Sequence, residues 1–185
     1  MKSALPRIAL AALALTTVAP AHAAHRWPAP VSPAVKTASG FVVIPDAAVP
    51  PTSKRVYRAV YDATRAASKP ADLAPAIDMA GSELNALGAS RVPLANAQFV
   101  MVFHGDAVDA ILNDASYRKK FGAANPNLPA LADLKRAGVK LFVCGQYLAF
   151  AGIDPAALTK DVTVASDALI VLMQYQNDGY ALLSF

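Results

Sequence analysis

The run Val139-Lys140-Leu141-Phe142-Val143-Cys144-Gly145-Gln146-Tyr147-Leu148 decides how the rest of the chain is read. It begins as a short apolar strand, stops at a glycine and passes into residues that favour a helix. The single cysteine of the protein stands at the junction. A strand that ends in Cys-Gly and enters a helix puts a thiol at the carboxyl edge of a sheet. That edge is where open α/β proteins bind their ligands.

Upstream of this run the same grammar repeats. Phe99-Val100-Met101-Val102-Phe103 is continuously apolar, as expected for a strand buried on both faces. It ends in His104-Gly105-Asp106, and Val108, Ile111 and Leu112 begin a further helical face. Asn125-Pro126-Asn127 is a turn, with Asn127 a candidate cap for a helix carrying Leu128, Leu131 and Leu134 and closed by Gly138. Earlier still, Val56 to Tyr61 reads as a strand. Asp72 is a candidate N-cap, Pro75 fits the first helical turn, and Leu73, Ile77, Leu84 and Leu87 form one stripe that Gly88 ends.

Downstream of Cys144, residues 147–151 read as a short helix ended by Gly152. Asp154-Pro155 marks a turn and Val162-Thr163-Val164 a fourth strand. Ser166 or Asp167 caps a helix through Leu169, Leu172 and Met173. Asn177-Asp178-Gly179 then turns the chain into a last strand, Tyr180 to Phe185. Strands alternating with helices at this spacing predict a single α/β domain over residues 54–185, a mostly parallel sheet of about five strands covered on both sides.

The amino-terminal segment is of another kind. Lys2 and Arg7 precede an apolar stretch from Ile8 to Val18, and Ala21-His22-Ala23 is a small-residue cleavage site. This pattern predicts a secretory signal peptide over residues 1–23 and a periplasmic or secreted mature protein. No later run approaches the ~20 apolar residues of a transmembrane helix. Residues 24–53 are rich in Pro and Ala and read as an extended leader outside the core, in which Phe41 to Ile44 fits an edge strand or a surface patch.

Charge narrows the partners. The whole chain has 17 basic and 13 acidic residues. Two of the basic ones, Lys2 and Arg7, lie in the signal, so the mature balance is 15 − 13 = +2. With no basic run longer than Arg118-Lys119-Lys120, no nucleic-acid partner is expected. There is no G-x-S-x-G elbow, P-loop, G-x-G-x-x-G or C-x-x-C, and no histidine pair at metal-ligand spacing. Neither a cofactor nor a metal is expected.

Chemistry therefore centres on two strand ends. His104 and Cys144 each follow a strand, each stands one residue before a glycine, and both project at the same sheet edge. An imidazole near a thiol favours the thiolate, as does a following helix N-terminus. A lone cysteine in an exported chain is a reactive thiol, an interchain partner or simply buried packing, and the spacing leaves these open.

Three stretches carry a resemblance. Val100-Met101-Val102-Phe103-His104-Gly105-Asp106-Ala107-Val108, Gly138 to Gly145, and Leu172-Met173-Gln174-Tyr175-Gln176-Asn177-Asp178-Gly179-Tyr180-Ala181 are similar, in order, to the second strand and turn, the cysteine strand and the closing helix of the DsrE/DsrF-like sulfur-relay family, in an exported branch. The resemblance spans roughly Lys54 to Phe185. It implies a three-layer α/β/α fold of the YchN kind and assembly into homotrimers or hexamers. In members that transfer sulfur it implies a cysteine carrying a persulfide, which falls on Cys144. His104 and Gly105 fall on the turn after the second strand, as pocket residues. The amides of Gly145 and Gln146 are expected to contact the sulfur anion, with Tyr147 lining the same pocket. The family's best-understood members pass sulfur between cytoplasmic partners, which an exported protein cannot meet, so the donor and acceptor are not implied. A non-enzymatic oligomer binding a small ligand or soft metal is the alternative.

Overall fold

In the computed structural model, residues 26–185 are described, and the expected signal peptide lies outside them. The apolar run 97–103 becomes β2 (Ala97–Phe103), the second strand of the chain and the centre of the sheet. β1 (Tyr57–Ala63) lies on one side of it and β3 (Lys140–Cys144) on the other. The outer strands are β4 (Thr163–Ala165) beside β3 and β5 (Ala181–Ser184) beside β1. The order is β4-β3-β2-β1-β5 and every pairing is parallel.

That order dictates where the helices go. From β1 to β4 the chain always steps in one direction across the sheet. Right-handed crossovers then place the intervening helices on one face. The step from β4 to β5 runs back across the whole sheet, so the same handedness puts its helix on the opposite face. The front layer contains α1 (Pro75–Ala89) and α3 (Asn127–Arg136), and the back layer is α5 (Ala168–Asn177). α2 (Asp114–Phe121) and the short α4 (Gly145–Ala151) cover the carboxyl edge.

Strand alternation divides the core accordingly. Tyr61, Phe99, Met101, Phe103 and Val143 join the front cluster with Ile77, Leu84, Leu131 and Leu134. Val60, Val100, Val102 and Cys144 join the back cluster with Ala168, Val171 and Leu172. A sheet apolar on both sides is what the unbroken run in β2 requires.

Several local expectations change. The segment after His104 forms a 3-10 helix over Gly105–Ile111, and Val108, Ile111 and Leu112 are buried as the pattern indicated. Asp72 does not cap α1, whose N-cap is Ala74 with Pro75 opening the helix. The amide of Ala74 instead donates to Asn127 Oδ1 at 2.8 Å. Asn127 is thus a buried link between two loops, not a helix cap. Asn125 completes the link: its Nδ2 donates to the carbonyls of Ala110 and Leu112, and its Oδ1 accepts from Asn127.

The largest revision concerns residues 26–53. Far from lying outside the core, this strap buries Val35 and Ala38 in the front cluster. Asn85 of α1 is completely buried and accepts from the amides of Ala34 and Val35, both at 2.9 Å. Its Nδ2 donates to the carbonyls of Val35 and Ser39. Asp78 of α1 accepts from the amide and hydroxyl of Ser39. Glycine in α1 makes room: a Cβ on Gly81 would stand 2.4 Å from Ala38 Cβ, and one on Gly88 would stand 2.9 Å from Pro33 Cγ. Gly88 therefore receives the strap and does not end α1, which continues to Ala89. Val31 and Phe41 pair as an isolated antiparallel bridge within the strap.

Candidate functional site

The site grows from the end of β3. Cys144 is the last residue of the strand and, with φ −68° and ψ 111°, the N-cap of α4. An N-cap side chain is placed to accept from an early amide of its helix. The sulfur does so: Tyr147 N lies 3.4 Å from Sγ. A second donor comes from another helix, with Ala168 N, the first residue of α5, 3.2 Å from Sγ. Cys144 sits where two helices start, and both amides point at its sulfur. The positive ends of the backbone dipoles favour negative charge there. The amides that reach the sulfur are those of Tyr147 and Ala168, not those of Gly145 and Gln146. In a helix it is the second or third amide that folds back onto the cap.

Gly145 is explained by the same packing. A Cβ there would stand 2.6 Å from the Ala165 carbonyl oxygen, so only glycine lets the turn after β3 lie against the segment that leads into α5. Asp167 fixes that segment by accepting from the amides of Leu169 and Ile170. Gln146 is exposed, while Tyr147 is half-buried and packs against both core clusters. Cys144 itself is 5% exposed, covered by the first turn of α5.

His104 comes to the neighbouring strand end. The pairing Phe103↔Val143 is followed by His104 beside Cys144, and the extended backbone of His104 keeps it on the same face as Val102, the back of the sheet. The expected juxtaposition on one edge is formed, but the ring does not turn to the sulfur. Nε2 lies 2.6 Å from Oδ1 of Asp62, a residue of β1 on the far side of β2. Ser184 of β5 donates to Oδ2 of the same carboxylate at 3.4 Å. Gly105 adopts φ +59°, a conformation glycine takes without strain, and a Cβ there would stand 3.2 Å from the Thr64 carbonyl. The turn after His104 is thereby closed onto the turn after β1.

Asp62 was not singled out by the sequence. Its signal was there to find: it is the one carboxylate of β1, following the apolar and aromatic run Ala59-Val60-Tyr61, two residues after Val60 and so on the same face. Such a position demands a partner. At the carboxyl edge Asp62 and His104 are joined, and Cys144 ends the next strand with its own partners, the amides of Tyr147 and Ala168. Among the described residues no group of three or more His, Cys, Asp or Glu is arranged to hold a metal ion.

Other hollows lie elsewhere. One of about 250 Å³ opens between the loop after β1 and α2, lined by Lys69, Asp109, Tyr117 and Asn127. One of about 450 Å³ lies at the amino edge of the sheet, beside Gln98, Lys140 and Tyr180. Neither includes Cys144 or His104.

The model of the DsrE/DsrF-like family matches residues 57–185. The YchN protein from E. coli is similar in structure, with 21% identity, a TM-score of 0.46, and 70% of this chain aligned to 99% of that one. A protein of unknown function from Methanobacterium thermoautotrophicum, MTH1491, gives 18% identity and a TM-score of 0.45 over 70% of this chain and 99% of that one. No curated protein matches.

Proposed function

The chain belongs to the DsrE/DsrF-like family, and from that membership and the two amides aimed at Cys144 Sγ we propose that it is an exported sulfur carrier or weak sulfurtransferase. Cys144 is the sulfur-bearing nucleophile. The observation that carries the reading is the sulfur's own environment. Two backbone donors from two helices converge on it, a setting that caps both helix starts and is suited to a thiolate or a persulfide anion. Export rests on the residue pattern of positions 1–23. A homo-oligomer is supported by the apolar outer surface of α5, where Leu169, Ile170 and Met173 are exposed.

Burial shapes the kinetics. A sulfur covered by the first turn of α5 is reached when that turn yields, so exchange at Cys144 is slow relative to a free thiol. The test is intact mass spectrometry of the mature protein before and after polysulfide, with Cys144→Ser alongside. The expected result is a gain of sulfur on the wild type alone, removed by a reducing thiol. An unchanged wild-type mass, with Cys144 also silent to alkylation in the native state, would leave the family fold without this chemistry. Mature-protein mass from the exported fraction tests the cleavage near Ala23.

A further inference from the structure

We propose that the hollow at the amino edge of the sheet is a second binding site, and that it takes a small aromatic carboxylate. It lies at the opposite end of the strands from Cys144, and it stands whether or not that cysteine carries sulfur. Four steps of β3 separate Lys140 from Cys144, a span of roughly 13 Å.

Strand register makes the hollow, which holds about 450 Å³. Val100 of β2 pairs with Lys140 of β3. Two residues nearer the amino edge stand Gln98 and Gly138, and Gln98 pairs with Arg58 of β1. Alternation puts Arg58, Gln98 and Lys140 on the face of Val60 and Val100, the back of the sheet. Gly138 brings no side chain to this row, and a Cβ there would meet nothing within 4 Å. α5 ends at Asn177, and beyond it Tyr180 supplies a wall. Its ring is held edge-on against Tyr175, with centroids 4.9 Å apart. Val100, only 1% exposed, lies beneath.

The polar groups around this space are donors. Arg58 gives Nε to Oε1 of Gln98 at 2.8 Å. That bond occupies the amide oxygen and leaves Nε2 of Gln98 with hydrogens to give. Lys140 Nζ lies 5.6 Å from the Tyr175 ring centroid. Among the described residues, the ion pairs include neither Lys140 nor Arg58. Asp178, the C-cap of α5, is not part of the lining. Two cations and an amide donor with no carboxylate between them select an anion over a cation or a neutral molecule.

The apolar lining sets the rest of the ligand. Ala97, Val100, Ala137 and the ring of Tyr180 offer nothing to the hydration shell of an inorganic ion. They suit a flat apolar body, which gains by packing on an aromatic ring. Lys140 and Gln98 then take the carboxylate, with Arg58 adding charge from behind Gln98. The volume is of the order found in small-molecule pockets. Because Lys140 and Gln98 are exposed, binding is weak and falls with salt.

The experiment is a calorimetric titration of the full mature chain with benzoate, benzamide and inorganic phosphate at low salt. Wild type, Lys140→Met and the remote charge control Lys119→Gln are compared, with folding checked by circular dichroism. Benzoate is expected to saturate wild type and Lys119→Gln alike. Lys140→Met is expected to bind it about tenfold or more weakly, as loss of a charged hydrogen bond implies. Benzamide, of the same shape without the charge, should also bind about tenfold more weakly. No saturable binding of benzoate, equal binding of benzamide, or equal binding by Lys140→Met would each overturn the proposal. Phosphate binding as tight as benzoate would overturn the aromatic class, since the apolar lining would then contribute nothing. Should Lys140→Met fail to fold, amide shifts of the wild type decide. Benzoate should move Gln98, Gly138 and Lys140, and shifts confined to other parts of the chain would refute the site.

Discussion

At the scale of single residues, the site depends on Gly145 as much as on Cys144. A methyl group at 145 meets the Ala165 carbonyl at 2.6 Å, a backbone atom that cannot swing aside. Gly145→Ala should therefore cost about 1–3 kcal/mol, the range for overpacking. It should also part the start of α5 from the sulfur, so that Ala168 N no longer reaches Sγ. Thermal unfolding checks the first effect. The second predicts faster alkylation of Cys144 per native molecule, because the covering turn is displaced. A lower Tm with unchanged alkylation would mean that the strain is relieved elsewhere.

At the scale of elements, the strap and α1 behave as one unit. Asn85→Ala removes an acceptor shared by two amides and a donor serving two carbonyls, with Asn85 and Val35 completely buried. Orphaned buried groups cost about 1–3 kcal/mol each, so denaturant unfolding should show a loss of at least about 2 kcal/mol. A chain starting at residue 54 should lose more, since Val35 and Ala38 leave the core as well. α2 supplies a pH-dependent contribution. Arg118 beside Asp114, with help from the amide of Asn125, holds the Asp114 carboxyl below its ordinary range. A carboxyl depressed in the folded state stabilises above its unfolded pKa, and that stabilisation is lost as pH falls through the folded value. Asp114→Asn should therefore flatten the acid limb of the stability curve below about pH 4, measured by urea midpoints at pH 3 and pH 7. The effect is small because the pair is exposed at the surface.

At the scale of the whole molecule, the back layer is thin. One ten-residue helix covers a five-stranded sheet, and that helix is apolar outside as well as inside. Ala168, Val171 and Leu172 face the sheet, while Leu169, Ile170 and Met173 face outward. Phe150 on α4 is a further exposed apolar side chain, 88% exposed. An exposed apolar patch of this kind marks an interaction surface, which supports the proposed association of copies through this side. Replacing Leu169 and Met173 by Lys should lower the assembly state in sedimentation velocity while the monomer stays folded. An unchanged sedimentation coefficient would place any contact elsewhere. Among the described residues no helix is long and apolar enough to cross a membrane.

The alternation of strands and helices was legible before any fold was known, because it is written in local periodicity: the unbroken run in β2, the stripe in α1, the Asp167 cap of α5. It also placed His104 and Cys144 at one edge, since parallel strands share their carboxyl ends. Three things were decided only by tertiary structure, and each depends on residues far apart in the chain. The strap is held by Asn85, some fifty positions away, and proline content gave no sign of it. The sulfur's second donor comes from α5, 24 positions on. His104 turned to Asp62, 42 positions back, because strand order put β1 beside β2. Local pattern fixes which face a side chain takes. Which strand lies next to it is set by how the whole sheet packs.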